Sequence, residues 1–258
     1  MSILLPVIIV TVIGLIAGLG LALAAKFMAV PVDEKESNLR SCLPGANCGA
    51  CGFSGCDGYA AALAKAEAEP DKCAPGGAAT AAALAEILGV EVSTEPKVAF
   101  IACQGNADTV NSKYEYTGYK TCMAANLVHA GPLECQFGCI GYGDCMRACP
   151  FGAITLQNNR PVICEDICVG CGKCASVCPK SLISVIPKSS RTRVYCSNRH
   201  KGASVVKVCK TSCIACGMCT KVCENEAITI QNNVAVINAE KCINCGKCKD
   251  ACKRNAII

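Results

Sequence analysis

The stretch CVGCGKCASVCP, residues 168–179, decides how most of this chain folds. Its cysteines follow the spacing C-x2-C-x2-C-x3-C, and the same spacing returns in CIACGMCTKVC (213–223) and CINCGKCKDAC (242–252). Three thiolates two residues apart can hold three corners of an iron–sulfur cube, and the last cysteine of another run fills the fourth corner. The runs therefore predict [4Fe–4S] clusters bound in pairs.

Zinc sites and disulfide bonds account for these cysteines less well. Zinc prefers two separated C-x2-C pairs in a tetrahedron to three closely spaced thiolates. A disulfide framework would account for 26 cysteines in 258 residues, but it needs no repeated spacing. A glycine follows the second cysteine of each run (Gly172, Gly217 and Gly246), where a positive φ lets the loop curl around a cube. Low-potential clusters also require a reducing compartment.

The cysteine runs belong to a duplicated unit. Residues 122–184 and 196–258 align without a gap at an offset of 74, so that AITLQNN (153–159) falls on AITIQNN (227–233). Each QNN predicts a tight hairpin turn, because Asn tolerates the left-handed backbone that such turns need. We therefore expect two tandem two-cluster ferredoxin-like α+β modules, each with two short hairpins. Their bounds are 135–187 and 209–258, with a basic connector over 188–208.

The first copy departs from the second at one ligand position. Cys216 of the second module falls on Tyr142 of the first, so the first module lacks a thiolate there. Cys135 lies upstream of Cys139, and the x3 spacing between them can bring both to one site. We predict that Cys135 fills the vacancy, whereas its counterpart Cys209 has no vacancy to fill.

The amino-terminal residues predict a membrane anchor. Residues 3–25 are all apolar or small, and about 23 residues can cross the ~30 Å hydrocarbon core of a bilayer. A cleaved signal peptide is the alternative, but no basic residue precedes the run and the run is too long. Lys26, Lys35 and Arg40 all follow it. The positive-inside rule therefore predicts a single span over 1–28 in the cell membrane, a polar linker over 29–41, and the cysteine-rich part on the cytoplasmic side.

A separate cysteine motif opens the soluble part. LPGANCGACGFSGCDGYAAALA (43–64) and the later Cys73 give the spacing C-x2-C-x4-C-x16-C. We expect a small Gly- and Cys-rich [4Fe–4S] domain over 42–95, with Ala-rich helices at 59–68 and 78–88. A redox dithiol at Cys48 and Cys51 is the alternative, but it would require a βαβ context that is missing here. A connector over 96–134 would lead to the modules.

The anchor, the motif LPGANCGACGFSGC (43–56), the distant Cys73 and the downstream runs together resemble the B subunit of the Rnf complexes. The resemblance implies a subunit of a membrane-bound enzyme that passes electrons from reduced soluble ferredoxin to NAD and couples the transfer to Na⁺ or H⁺ translocation. It also implies other membrane subunits and an NAD-binding flavoprotein subunit as partners.

Two other functions are left open by the sequence. The chain could be a membrane polyferredoxin that delivers electrons to another target without ion pumping, or a structural metal protein without redox activity. The soluble part has no dinucleotide-binding fingerprint, so we expect no catalytic residues and no stand-alone catalysis. Zinc-finger and aromatic–basic patterns are missing, so no nucleic-acid partner is expected.

Twenty cysteines are predicted to bind five [4Fe–4S] clusters. They are Cys48, Cys51, Cys56, Cys73, Cys135, Cys139, Cys145, Cys149, Cys168, Cys171, Cys174, Cys178, Cys213, Cys216, Cys219, Cys223, Cys242, Cys245, Cys248 and Cys252. Six remain unassigned: Cys42, Cys103, Cys122, Cys164, Cys196 and Cys209. They either help to hold a sixth cluster or are buried thiols that behave as small apolar groups.

The connector between the modules is strongly basic. Residues 188–210 contain no Asp or Glu, and their cationic residues are Lys188, Arg191, Arg193, Arg199, Lys201, Lys207 and Lys210. A surface of one charge sign steers association with an oppositely charged partner. We predict that this segment helps to dock an acidic electron donor; a solvated loop or contact with anionic lipid headgroups are the alternatives.

Overall fold

The computed structural model describes residues 4–27, 33–92 and 95–258. Short helices and short strands mix over most of these residues, as the α+β class requires. The helices are α1 (Leu4–Phe27), α2 (Glu34–Ser41), α3 (Cys56–Ala64), α4 (Gly77–Leu88), α5 (Cys122–Leu127), α6 (Asp144–Arg147), α7 (Lys173–Ser176), α8 (Gly202–Val208), α9 (Met218–Lys221) and α10 (Lys247–Asp250). The strands are β1 (Lys97–Ile101), β2 (Ile154–Gln157), β3 (Arg160–Ile163), β4 (Ile183–Pro187), β5 (Ile228–Gln231) and β6 (Val234–Ile237).

Helix α1 is long and apolar enough to cross a membrane. Its window from Val7 to Ala24 has a mean hydropathy of 2.7, and the side chains in that window are exposed to their surroundings. A helix satisfies all its interior backbone hydrogen bonds within itself, which is what a hydrocarbon environment demands.

The expected linker over 29–41 is wrong in its second half, which forms α2. The carboxylate of Asp33 accepts a hydrogen bond of 2.9 Å from the backbone N–H of Lys35 and so caps the helix. Leu39 is completely buried in the apolar cluster that also holds Tyr59 and Leu63 of α3. Helix α2 is therefore part of the first cysteine domain. Residues 29–32 of the expected linker lie outside the described residues.

The two Ala-rich helices predicted in the first cysteine domain are present as α3 and α4. Both begin a little before the predicted residues, and α3 also ends before its predicted end. Helix α4 ends at Gly89, whose φ of 68° places it in the left-handed region that commonly terminates helices. Leu84 of α4 is completely buried with Leu63, so the two helices share one small core.

Each QNN segment forms the predicted hairpin turn. Strands β2 and β3 pair antiparallel with Gln157 opposite Arg160, and β5 and β6 pair with Gln231 opposite Val234. The two-residue loops between them have positive φ at both positions, which is the geometry that suits the twist of a two-residue hairpin. These residues are Asn158 (50°), Asn159 (58°), Asn232 (48°) and Asn233 (62°).

The prediction of a second hairpin in each module is wrong. Strand β4, at the end of the first module, pairs antiparallel with β1, and Ile183 faces Ile101. At the end of the second module Ile257 forms a bridge with Val194. In both modules the partner is therefore taken from the chain upstream.

Candidate metal centres

The first four-cysteine site lies in the small α2–α4 domain. Cys56 opens α3, and its backbone N–H donates a 2.8 Å hydrogen bond to Oδ1 of Asn47, which holds the preceding loop against the helix. Burial, together with the proximity of Cys56, Cys51 and Cys48, raises the pKa of Cys73. The structure thus brings together the four cysteines predicted from the C-x2-C-x4-C-x16-C spacing.

Four short loops in the two modules share one shape. Each curls through a glycine with φ between 71° and 80° into a four-residue helix, and the glycines are Gly143, Gly172, Gly217 and Gly246. Gly143 directly follows Tyr142. The loop in the first module therefore keeps its shape although its second cysteine is missing.

The second module contains two four-cysteine cavities. Cys213, Cys216 and Cys219 line one cavity together with Cys252, the last cysteine of the other run. The second cavity has the reciprocal set, Cys223, Cys242, Cys245 and Cys248. Each run therefore contributes three thiols to one cavity and its last thiol to the other, as in a two-cluster ferredoxin.

The first module repeats the reciprocal arrangement for its regular run. Cys149 packs in the same apolar cluster as Cys168 and Cys174. Burial, and then the proximity of Cys171 and Cys168, raises the pKa of Cys174 to about 11. The backbone N–H of Ala99 in β1 donates a 3.3 Å hydrogen bond to Sγ of Cys168. Strand β1 therefore supports this site directly, although it lies in the segment that we expected to be a connector.

The other cavity of the first module differs from the sequence-based prediction. Its thiols are Cys122, Cys139, Cys145 and Cys178, so Cys122 takes the place that we expected Cys135 to fill. Burial, and then the proximity of Cys122 and Cys178, raises the pKa of Cys145 to about 11. Cys135 lies instead on the wall of a separate cavity.

The position of Cys122 follows from how α5 is held. Thr121 caps the helix, and the backbone N–H of Met123 donates a 3.0 Å hydrogen bond to Oδ2 of Asp144 at the start of α6. Cys122 is buried in one cluster with Ile140, and the ring of Tyr142 packs against this cluster and against Tyr116, with ring centroids 5.9 Å apart. Proximity along the chain favoured Cys135, but the packing of α5 on α6 brings Cys122 to the cavity.

The donor sets fit a cluster better than a single metal ion. In the described ranges no group of three or more His, Cys, Asp or Glu side chains is arranged to hold one metal ion. Thiolates on one zinc ion lie about 4 Å apart, whereas those at the corners of a cube are spaced more widely. Burial raises the pKa of Cys73, Cys145 and Cys174, and bound iron would stabilise the thiolate forms.

Sequence families cover the three segments that carry the regular cysteine motifs. An Fe–S cluster family matches residues 43–75, and two 4Fe-4S dicluster domain families match residues 135–182 and 212–257. These segments contain every predicted ligand. They leave out Cys42, Cys103, Cys122, Cys196 and Cys209.

Relatives extend the similarity to nearly the whole chain. The B subunit of the Na⁺-translocating ferredoxin:NAD⁺ oxidoreductase complex of Acetobacterium woodii is 44% identical over 242 residues, which are 93% of this chain and 73% of that protein. The chain belongs to the family of B subunits of ion-translocating ferredoxin:NAD⁺ oxidoreductase complexes. The B subunit of the proton-translocating complex of Clostridium ljungdahlii is 42% identical over 240 residues, 92% of this chain and 84% of that protein. The B subunit of the ion-translocating oxidoreductase complex of Methanosarcina acetivorans matches at 34% over 156 residues, 58% of this chain and 59% of that protein.

The basic connector of this family member is less uniformly exposed than its sequence suggests. Arg193 is only 6% exposed, and its guanidinium lies 2.6 Å from the carboxylate of Glu165 in the first module. Lys188 pairs with Asp166 at 3.1 Å. The other five cationic side chains are exposed and form no ion pair within the described residues: Arg191, Arg199, Lys201, Lys207 and Lys210.

Proposed function

We propose that this chain is the membrane-anchored electron-transfer subunit of a ferredoxin:NAD⁺ oxidoreductase that translocates Na⁺ or H⁺. It would accept electrons from reduced ferredoxin and relay them to partner subunits that reduce NAD⁺. The observation that supports the proposal is the convergence of cysteines in each module and in the first domain of a member of this family, which we assign to five four-cysteine sites. A chain of such sites suits one-electron relay rather than hydride chemistry.

We assign three of the five ligand sets from the cavities that they line and the other two from packing and proximity. The five sets are Cys48, Cys51, Cys56 and Cys73; Cys149, Cys168, Cys171 and Cys174; Cys122, Cys139, Cys145 and Cys178; Cys213, Cys216, Cys219 and Cys252; and Cys223, Cys242, Cys245 and Cys248. When bound, a [4Fe–4S] cluster supplies reversible storage of one electron.

The surrounding protein would tune each site. Ile101, Leu182 and Ile183 line the cavity that holds Cys122, and Ile257 lines the cavity that holds Cys252. These apolar side chains keep water away from the thiolates. Backbone N–H groups donate to the sulfurs, as Ala256 does to Sγ of Cys252 at 3.3 Å. Such hydrogen bonds favour the reduced, more negative state and so raise the reduction potential.

The orientation in the membrane follows from charge. Helix α1 would span the bilayer once, and the positive charges that follow it favour the cytoplasmic side for the cysteine-rich part. That side is also the one where soluble ferredoxin and NAD⁺ are found. Because the soluble part has no dinucleotide-binding fingerprint, an NAD-binding flavoprotein subunit would complete the reaction.

The proposal is tested on the full-length chain purified without oxygen in detergent. Reduced ferredoxin is mixed with it in a stopped-flow instrument, and the visible absorbance of the clusters is followed. We expect reversible bleaching, and copurification from native membranes with multi-span subunits and a flavoprotein. Clusters that a chemical reductant bleaches but ferredoxin does not would contradict the assigned donor. Recovery without any multi-span partner would favour the polyferredoxin alternative.

A further inference from the structure

Four cysteines outside the five sites line one cavity between the two modules. They are Cys103, Cys135, Cys196 and Cys209. The cavity is similar in size to the neighbouring four-cysteine cavity that contains Cys122. Cys139 lies on the wall between the two cavities. In the repeat Cys139 is equivalent to Cys213, which belongs to a regular ligand set of the second module. We therefore assign Cys139 to the cavity that contains Cys122.

Two of the four cysteines are related by the internal repeat, and the other two follow similar backbone contacts. Cys135 and Cys209 are equivalent at the offset of 74. Cys103 directly follows Ala102, whose N–H donates to the carbonyl of Leu182, and Cys196 directly follows Tyr195, whose N–H donates to the carbonyl of Ala256. Leu182 and Ala256 are themselves equivalent in the repeat. Each module therefore contributes one thiol, and the segment that pairs with the end of each module contributes another, although the gapless alignment matches Cys196 with Cys122 rather than with Cys103.

Two hydrogen-bond donors beside the cavity point at sulfur. The backbone N–H of Cys139 donates to Sγ of Cys103 at 3.4 Å, and the side-chain amide of Asn198 donates to Sγ of Cys135 at 3.5 Å. Asn198 is only 5% exposed. A buried amide whose N–H is directed at a thiol suits a thiolate acceptor better than a neutral thiol, because hydrogen bonds to a charged acceptor are stronger.

The composition of the wall limits what could bind here. Besides the cysteines its lining residues are apolar or uncharged, among them Val110, Leu133 and Phe137, and it contains no His, Asp or Glu. All four thiols are free in the structure. Four thiols that line one mostly apolar cavity match the donor set of a cluster. Buried thiols acting only as small apolar groups would not need to converge.

We propose that Cys103, Cys135, Cys196 and Cys209 bind a sixth [4Fe–4S] cluster that joins the two modules. This inference rests on the proposed electron-transfer function. The site would take one electron from a reduced cluster of one module, which is thereby oxidised, and pass it to an oxidised cluster of the other. No bond is made or broken and no proton moves. The two modules would then form one continuous path through the protein interior.

Iron counting on the full-length holoprotein tests the sixth site. We expect about 24 iron atoms per chain, from six sites of four irons. Cys209→Ser should remove about one to four irons or convert one cluster to a three-iron form visible by electron paramagnetic resonance. Cys164→Ser, which changes an exposed and unassigned cysteine, should leave the count at about 24. A wild-type count of about 20, with Cys103, Cys135, Cys196 and Cys209 all alkylated in the native protein, would overturn the proposal.

A second variant covers the case in which Cys209→Ser fails to fold. Asn198→Ala keeps all four thiols but removes one hydrogen bond to sulfur. We expect an unchanged iron count and a lower reduction potential for one cluster only. Unchanged potentials for all clusters in a folded variant would contradict the site. Failure of ferredoxin to reduce a protein with 24 irons would count against the proposed donor and leave the sixth site standing.

Discussion

The guanidinium of Arg193 and the carboxylate of Glu165 lie 2.6 Å apart and join the segment before the second module to the first module. Arg193 also donates from Nε to the carbonyl of Ser190 at 2.5 Å and lies over the ring of Phe100 in β1, 5.6 Å from the ring centre. One arginine thus contacts three segments of the chain. Its charge serves to hold the modules together rather than to meet an external partner.

Replacing Arg193 should therefore loosen the contact between the modules. We expect Arg193→Met to lower the free energy of unfolding by about 1–3 kcal/mol, because a charged hydrogen bond is lost and Glu165 stays partly buried. Loss of visible cluster absorbance on heating measures the effect. Arg191→Met, which changes an exposed neighbour, is the control. If both variants lose their cluster absorbance at the same temperature, the ion pair does not contribute to the free energy of unfolding.

Ferredoxin docking should depend on the exposed part of the connector. Because Arg193 is buried, the informative variant is Arg191→Glu with Arg199→Glu. We expect about tenfold slower reduction by ferredoxin at low salt, and a difference from wild type that shrinks as salt is added. Stopped-flow bleaching of the clusters measures the rate. Lys35→Glu with Lys65→Glu changes the net charge equally at exposed sites of the first domain. If this pair slows reduction as much, the connector is not the docking surface.

Cys122 should be a ligand of the first module. We expect Cys122→Ser to lose about one to four irons or to yield a three-iron signal, because a serine hydroxyl is a poor replacement for the thiolate that binds one corner iron of the cube. Combining it with Cys209→Ser should add the two losses, since the cysteines line different cavities. Iron analysis and electron paramagnetic resonance measure both. A Cys122→Ser protein with wild-type iron and spectra would exclude Cys122 as a ligand.

Tyr59 should stabilise the first cysteine domain. Tyr59 lies on α3, and its ring is buried in the apolar cluster that also holds Leu39 of α2. Its hydroxyl donates a 2.6 Å hydrogen bond to the backbone carbonyl of Glu69. Burial raises the pKa of this phenol, so it remains a donor. Tyr59→Phe leaves that carbonyl without its partner and should cost about 1 kcal/mol. Chemical denaturation followed by circular dichroism measures it, with Tyr119→Phe, an 80% exposed tyrosine, as the control. A Tyr59→Phe protein as stable as the control would show that this bond contributes nothing.

The sequence predicted what depends on local spacing. The curled loops at Gly172, Gly217 and Gly246 and the hairpin turns at Asn158 and Asn232 are all present, because a few neighbouring residues determine each of them. The helices α3 and α4 follow from local composition in the same way. The families matched over 43–75, 135–182 and 212–257 cover the same local motifs.

What the sequence missed depends on tertiary contacts. Cys122 reaches its cavity because α5 packs on α6, and nothing in the spacing between Cys122 and Cys139 indicates this. Arg193 lies in a segment whose sequence is basic throughout, yet its side chain is buried and pairs with Glu165 of the first module. The residues of strand β1 were expected to belong to a connector. Its partner strand β4 lies more than 80 residues further along the chain, so no local pattern indicates the pairing.

The pairing of β1 with β4 also sets an order of events during synthesis. Domains fold from the amino terminus as the chain emerges from the ribosome, and the first cysteine domain has all its predicted ligands by residue 73. The first module must wait for residue 187 before its last strand can pair. The cavity between the modules cannot close before Cys209 emerges. We therefore expect iron to be inserted in stages along the nascent chain, with the junction between the modules receiving its cluster after the amino-terminal domain is complete.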